Sequence, residues 1–311
     1  DLMLFLGYYT GLLLGWSTTD SFFLGSMISM SSTTIIIKAF DDLNIKKQKF
    51  TDLVFGVLVI EDLVGILLLV LLPMVALGQS INGGELALST FKLLSFLILC
   101  FVIGIYIVPT VLKKLTSFLN DEMLLLITVG MCFGMVWLAT ASGFSSALGA
   151  FLMGSVLSET GLIMRIENVV RPLKDFFGAV FFVSVGMMVD PAMFVTYAGP
   201  IAVVTLIVVV GKVVFSCFGF VISGQSLRTS TECAFSLAQV GEFAFIIAAL
   251  GMSLGVLDGQ VYPVIVAVSV ITTFLTPVMI RSAGPVYRLI ERKLPASWSR
   301  YINKASAARA P

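Results

Sequence analysis

The chain has 311 residues, 58% of them hydrophobic and only 12% charged, with net charge +1 and mean hydropathy +1.06. Soluble domains carry about 25% charged residues, so the composition excludes a water-soluble globule. The continuous apolar runs of about twenty residues exclude the alternating pattern of an outer-membrane barrel. The chain reads as an all-α polytopic membrane protein, and its net charge makes no case for nucleic acid as a partner.

The apolar runs predict about ten spans, near residues 2–15, 21–38, 50–72, 86–112, 123–140, 144–159, 172–189, 200–223, 230–251 and 260–280. Short links carrying Gly, Pro, Asn or Asp join most of them. Asp1 stands partway into an apolar run, which predicts a piece cut from a longer protein. If that end is cytoplasmic, seventeen of the nineteen Lys and Arg fall on inside segments, with Lys92 and Lys212 inside spans. This asymmetry predicts a cytoplasmic C-terminus. The tail 284–311 is basic with interspersed aromatics and reads as a segment lying on anionic lipid. Cys100, Cys132, Cys217 and Cys233 sit singly in apolar runs, without metal-ligand spacing, and read as free thiols.

The third span holds the most informative residues. In Val54–Leu72, fifteen apolar residues contribute roughly −4.5 to −9 kcal/mol toward insertion. Glu61 and Asp62, at its centre, take back roughly 5 to 7 kcal/mol. Acids that costly at mid-depth point to function, against the bland alternative of an ion pair that only locks helices. Lys212 and Glu242 also fall mid-span. There is no histidine, so proton chemistry has to run on carboxylates or a lysine. Adjacent helical residues point about 100° apart, so one acid can face a neighbouring helix while the other faces an ion path. An ammonium as deep as that of Lys212 needs an acid, and Glu61 is the expected partner; the alternative is Asp62, released when a cation binds.

Two spans carry polar breaks: Ser29, Ser31, Ser32, Thr33 and Thr34 in the second, Ser236, Gln239, Gly241 and Glu242 in the ninth. Such residues let a helix unwind and present backbone to an ion, and they also serve close helix packing. Spans one to three and eight to ten each read as helix, polar-centred helix, helix. The first unit starts inside and the second outside, the pattern of an inverted repeat. The expected layout is a first core unit at 1–80, scaffold or dimerisation helices at 81–195, a second core unit at 196–283 and the tail. The breaks are expected to cross at mid-membrane, with Ser31, Ser32 and Thr33 facing Gln239 to Glu242. Glu242 either lines the ion path or is a structural acid bonded to hydroxyls.

The ordered set Ser31-Ser32-Thr33, Glu61-Asp62, the 143–154 run GFSSALGAFLMG, the 181–190 run FFVSVGMMVD and the 239–245 run QVGEFAF resembles the monovalent cation:proton antiporter-2 family over nearly the whole chain. That family comprises the Kef-type potassium/proton and related sodium/proton antiporters. The resemblance implies an NhaA-type fold with two discontinuous crossing helices, a homodimer, and about three helices before Asp1. It implies that Asp62 binds the ion and that Lys212 matches the family lysine. Glu61 departs from the family's Asp, Asn or Gln, stays ionisable, and favours the electrogenic type. It implies no cofactor in this chain, with a cytoplasmic nucleotide-binding domain following in Kef-type proteins.

The function expected is exchange of K+ or Na+ for protons by alternating access, in a bacterial inner membrane, with no enzymatic activity. Cation and proton would compete for Asp62, with Glu61 beside it. Rival readings are a ligand-gated potassium efflux channel-like system and an organic-anion symporter on the same fold. An intramembrane aspartyl protease needs a second mid-depth aspartate, which the chain lacks.

Overall fold

The computed structural model describes residues 2–46, 48–76, 120–142, 146–187 and 191–293, with scattered positions between 91 and 114. The expected fourth span, the 80/81 boundary and residues 294–311 fall wholly or mostly outside the described residues. Among those described there is no strand. The helices are α1 (Leu2–Leu13), α2 (Thr18–Ile28), α3 (Thr33–Asp42), α4 (Lys49–Ala76), α5 (Asp121–Ala141), α6 (Ser146–Ser158), α7 (Ile163–Met187), α8 (Pro191–Thr196), α9 (Ala198–Ile222), α10 (Leu227–Ser236), α11 (Phe243–Ser253) and α12 (Val261–Lys293).

The chain divides into two compact units, one of Asp1–Leu68 with Val189–Pro311, the other Leu69–Met188. In the first unit, helix starts follow side-chain caps. Ser17, Ser32 and Ser226 accept backbone N–H bonds from Asp20, Ile35 and Thr229 at 3.0, 3.1 and 3.2 Å, satisfying donors that a helix start leaves open. Helix α1 packs along α2, and α9 packs against α1, α10 and α12. The α1–α2 approach needs Gly25, because a Cβ there would run into the Leu4 carbonyl. A core of Ile36, Phe40, Phe50, Val54, Leu58, Phe220, Cys233, Leu237 and Ile280 ties α3, α4, α9, α10 and α12 together. Phe40 stands edge-on to Phe50, with ring centroids 5.7 Å apart.

The second unit packs α5, α6 and α7 around Leu124, Met153, Val156 and Ile166. Asp121 and Arg165 pair at 2.8 Å across α5 and α7.

Large apolar side chains point outward on both units: Phe5 is 59% exposed, Trp137 70% and Phe274 79%. Water would not tolerate so much exposed apolar surface. Five helical stretches have the length and hydropathy to cross a membrane: Thr18–Asp42 with its break, Lys49–Pro73, Asp121–Ala141, Ala198–Ile222 and Val261–Lys293.

Two boundaries differ from expectation. Helix α7 starts at Ile163 and runs through Pro172, where a span start was expected. Its first turns are polar, supported by Glu167 and Arg171 paired at 2.8 Å one turn apart, and hydropathy cannot see them. Helix α12 runs through Pro277 and Pro285 to Lys293, so the first part of the expected tail is helical. Tyr287 donates to Glu291 at 2.6 Å along that extension. Cys132, Cys217 and Cys233 are free; Cys100 lies outside the described residues.

Candidate functional site

The second and ninth expected spans are both interrupted. Helix α2 ends at Ile28 and α3 begins at Thr33; α10 ends at Ser236 and α11 begins at Phe243. Thr33 and Thr34, expected within the first break, form the opening turn of α3. Hydroxyls make these interruptions bearable in an apolar surrounding. Ser29 Oγ donates to Ser26 O at 2.8 Å, satisfying a carbonyl that the end of α2 leaves open, and Ser236 Oγ bonds back to Glu232 O at 2.8 Å within α10. Helix α12 serves the second break directly. Thr272 Oγ1 accepts from Val240 N at 3.3 Å, and Ser269 Oγ donates to Val240 O at 3.4 Å.

The two breaks meet. Gly241 N donates to Met30 O at 2.9 Å. Ser31 Oγ donates to Leu237 O at 3.1 Å. The Gln239 amide brackets Ser32, accepting from its N–H at 2.9 Å and donating to its carbonyl at 3.1 Å. A Cβ on residue 241 would lie 2.6 Å from Ser31 O, so only glycine lets the chains approach this closely. Gln239 is fully buried. Gln239→Leu would leave the Ser32 N–H without a partner, at about 1–3 kcal/mol, and its carbonyl with only the 3.3 Å bond from Ile36 N. Thermal unfolding in detergent is expected to show a loss of several degrees, whereas an unchanged midpoint would mean that the bracket contributes nothing.

The acids gather where two helices begin. Ser31 N donates to Glu61 Oε2 at 2.7 Å. Thr34 Oγ1 donates to Glu242 Oε1 at 3.0 Å, and Glu242 is the residue immediately before α11. Asp62 is half-buried, stands beside Thr33 and lies within electrostatic reach of Glu242 and Glu61. The N-terminal ends of α3 and α11 carry partial positive charge, which favours carboxylates there. Two buried oxygens in this cluster, Thr33 Oγ1 and Glu242 Oε2, have no hydrogen-bond partner among the described residues. The Thr33 hydroxyl is next to Asp62 without a formed hydrogen bond to it.

Lys212, on α9, is 2% exposed. Its ammonium donates to Ser31 Oγ at 2.7 Å. The direct ion pair with Glu61 expected from the charges is not formed: among the described residues Lys212 has no carboxylate oxygen within 4.0 Å. Ser31 stands between, its N–H on Glu61 and its hydroxyl on Lys212. Lys212 is equally not paired with Asp62, although Glu61 is the acid whose charge reaches it. All eight candidate residues, Ser31, Ser32, Thr33, Glu61, Asp62, Lys212, Gln239 and Glu242, thus fall in the first unit around one crossing.

Comparison with known proteins places the chain in a family. The family described as sodium/hydrogen exchanger, transmembrane, matches residues 2–283. This chain belongs to that sodium/hydrogen exchanger family. Among its relatives, YbaL of Escherichia coli K12, whose name places it with the cation/proton antiporters, is 32% identical over 285 residues, covering 88% of this chain and 50% of YbaL. K(+) efflux antiporter 4 of Arabidopsis thaliana is 28% identical, covering 90% of this chain and 48% of its own length. The K(+)/H(+) antiporter subunit KhtU of Bacillus subtilis is 27% identical, covering 92% and 70%. The chain therefore spans about half the length of the first of these relatives. As a member of a transmembrane exchanger family with outward-facing apolar helices, it is an integral membrane protein.

Three residues of this exchanger-family chain make contacts that were not foreseen from its sequence. Ser269 and Thr272 lie three residues apart within an apolar run, and that spacing on one helix face was the available signal. Asp20, 4% exposed, accepts from Asp258 N at 2.9 Å and from Ser17 Oγ at 2.6 Å. It fastens the start of α2 to the turn before α12 and is a structural acid.

Proposed function

We propose that this chain carries the ion-exchange site of a secondary antiporter, in which a monovalent cation, K+ or Na+, and protons compete for Asp62. The observation that carries this reading is the meeting, at one helix crossing, of the Asp62 carboxylate with two buried oxygens that lack hydrogen-bond partners, Thr33 Oγ1 and Glu242 Oε2. The potential ligands are all oxygens, which suits a hard cation, and a hydroxyl without a partner is a ready ligand. Both protonated and cation-bound Asp62 are locally neutral, so either form can cross the barrier that a bare carboxylate cannot. This makes exchange obligatory and leads to alternating access. The names of the potassium and cation/proton antiporters among the relatives support the substrate class.

The same reading takes the two sets α1–α4 and α9–α12, each with a broken central helix, as inverted repeats of an NhaA-type fold with about ten spans in this chain. It takes the protein as a homodimer in a bacterial inner membrane with its C-terminus inside. Glu242 is a second cation ligand in this scheme. Glu242→Gln keeps an oxygen for Thr34 and removes a charge, so the cation KM is expected to rise about tenfold, roughly 1.4 kcal/mol, with turnover less affected. An unchanged KM would leave Glu242 a structural acid.

The test of the overall proposal is an ion-resolved flux assay on the full-length protein in vesicles. An imposed proton gradient is expected to drive K+ or Na+ uphill. Cation movement that only dissipates its own gradient would instead indicate a channel.

A further inference from the structure

We propose that Ser31 is a positioning residue that holds the Lys212 ammonium away from Glu61, giving the base two alternative seats. One is the Ser31 hydroxyl, where it is seen; the other is the Glu61 carboxylate. The inference rests on the antiporter reading for its part in transport, but its geometry is independent of which ion is carried.

Ser31 makes three hydrogen bonds to other segments. Its hydroxyl accepts from Lys212 Nζ at 2.7 Å and donates to Leu237 O at 3.1 Å, while its N–H donates to Glu61 Oε2 at 2.7 Å. One residue of the first break therefore touches α9, α4 and the second break together. A buried ammonium ordinarily requires a carboxylate. Here Lys212 is 2% exposed and rests on a neutral hydroxyl, with no ion pair within 4.0 Å among the described residues. Its position is tolerable because Leu237, the residue that closes α10, presents its carbonyl on the far side of the same hydroxyl, polarising it toward the base.

The second seat is within reach of the first. Glu61 and Lys212 line a common cavity of about 150 Å3, together with Leu2, Met3, Ser29, Phe215 and Ser216. That is far more than the roughly 10–15 Å3 a single water needs, so a flexible four-carbon stem can swing its ammonium across without displacing a packed side chain. The Ser31 hydroxyl sets the balance between seats. Because it also holds Leu237, a move of Lys212 onto Glu61 loosens the joint between the two broken helices, which links the position of the base to the crossing that carries Asp62.

The bland alternative is that Ser31 only satisfies the break and has no bearing on the acid. The two are separated by thermal unfolding of the full-length protein with Glu61→Gln made in two backgrounds. In the wild-type background Glu61→Gln removes a carboxylate that is not in an ion pair. In Ser31→Ala the first seat is gone, Lys212 moves onto Glu61, and the same substitution breaks a formed buried pair. The shift in Tm caused by Glu61→Gln is expected to be several degrees larger in Ser31→Ala than in wild type. An equal or smaller shift overturns the proposal. If Ser31→Ala does not fold, Ser31→Cys, of similar size and weak hydrogen bonding, takes its place in the same comparison.

In exchange assays Ser31→Ala is expected to lose about tenfold in turnover, the worth of one hydrogen bond to a charged group, with the cation KM within about twofold of wild type because the substitution removes none of the oxygens of Asp62, Thr33 and Glu242. Wild-type turnover would also overturn the proposal. Should Asp62→Asn prove active, Asp62 loses its assigned role, yet the two-background comparison still reports on Lys212.

Discussion

Asp62→Asn is expected to abolish cation-dependent proton release from vesicles carrying the full-length protein while leaving that protein folded. The side chain keeps its shape and loses both its charge and its titration. A carboxylate about 4 Å from a monovalent cation contributes about 4 kcal/mol at an effective dielectric of 20, or roughly a thousandfold in affinity. The proton is lost as a competitor at the same time, so neither half of the exchange survives. Folding should be spared because Asp62 is half-buried and holds no formed hydrogen bond at the crossing; Glu61, Ser31 and Gln239 carry those. Near-normal exchange by this variant would remove Asp62 from its assigned role. A variant that fails to fold would show the residue to be structural, and size-exclusion behaviour in detergent distinguishes the two losses.

The second large effect is expected at Gly241. A methyl at this position would lie 2.6 Å from Ser31 O and 2.9 Å from Ser32 N. Both are backbone atoms fixed by the Gln239 bracket, so neither can rotate away. Overpacking of this kind costs about 1–3 kcal/mol, and displacing the chain also loses the Gly241 N–H to Met30 bond, about 1 kcal/mol more. Gly241→Ala should therefore lower the unfolding midpoint by several degrees and Gly241→Val further. Gly130→Ala is the control: its Cβ would meet nothing within 4 Å, and alanine is the better helix former by about 0.5–1 kcal/mol. Equal midpoints for Gly241→Ala and Gly130→Ala would contradict the close crossing.

The elements that were legible in the sequence share one physical cause. In an apolar span every polar atom is expensive, so Glu61, Asp62, Lys212, Glu242 and the two hydroxyl-rich breaks stood out against their surroundings. The bond from Gly241 N to Met30 O did not stand out, because backbone groups carry no residue signature; only the glycine hinted at close approach. Charge alone paired Lys212 with Glu61 and overlooked that Ser31 has a donor for one and an acceptor for the other. Pro172 and Pro285 read as boundaries, yet α7 and α12 run through them, as membrane helices do when neighbouring groups take up the freed carbonyl. Ser269 and Thr272 were passed over because two hydroxyls in a long apolar run are cheap when bonded to their own helix. Their second role, toward Val240, depends on tertiary packing.

Competition between cation and proton for one carboxylate is the centre of this account, and calorimetric titration of the purified full-length protein tests it most directly. KCl or NaCl is titrated in buffers of differing ionisation enthalpy, which counts protons released per cation bound. The account predicts proton release coupled to cation binding in the wild type, with both lost in Asp62→Asn. Cation binding that releases no protons, or that persists unchanged in Asp62→Asn, would contradict it.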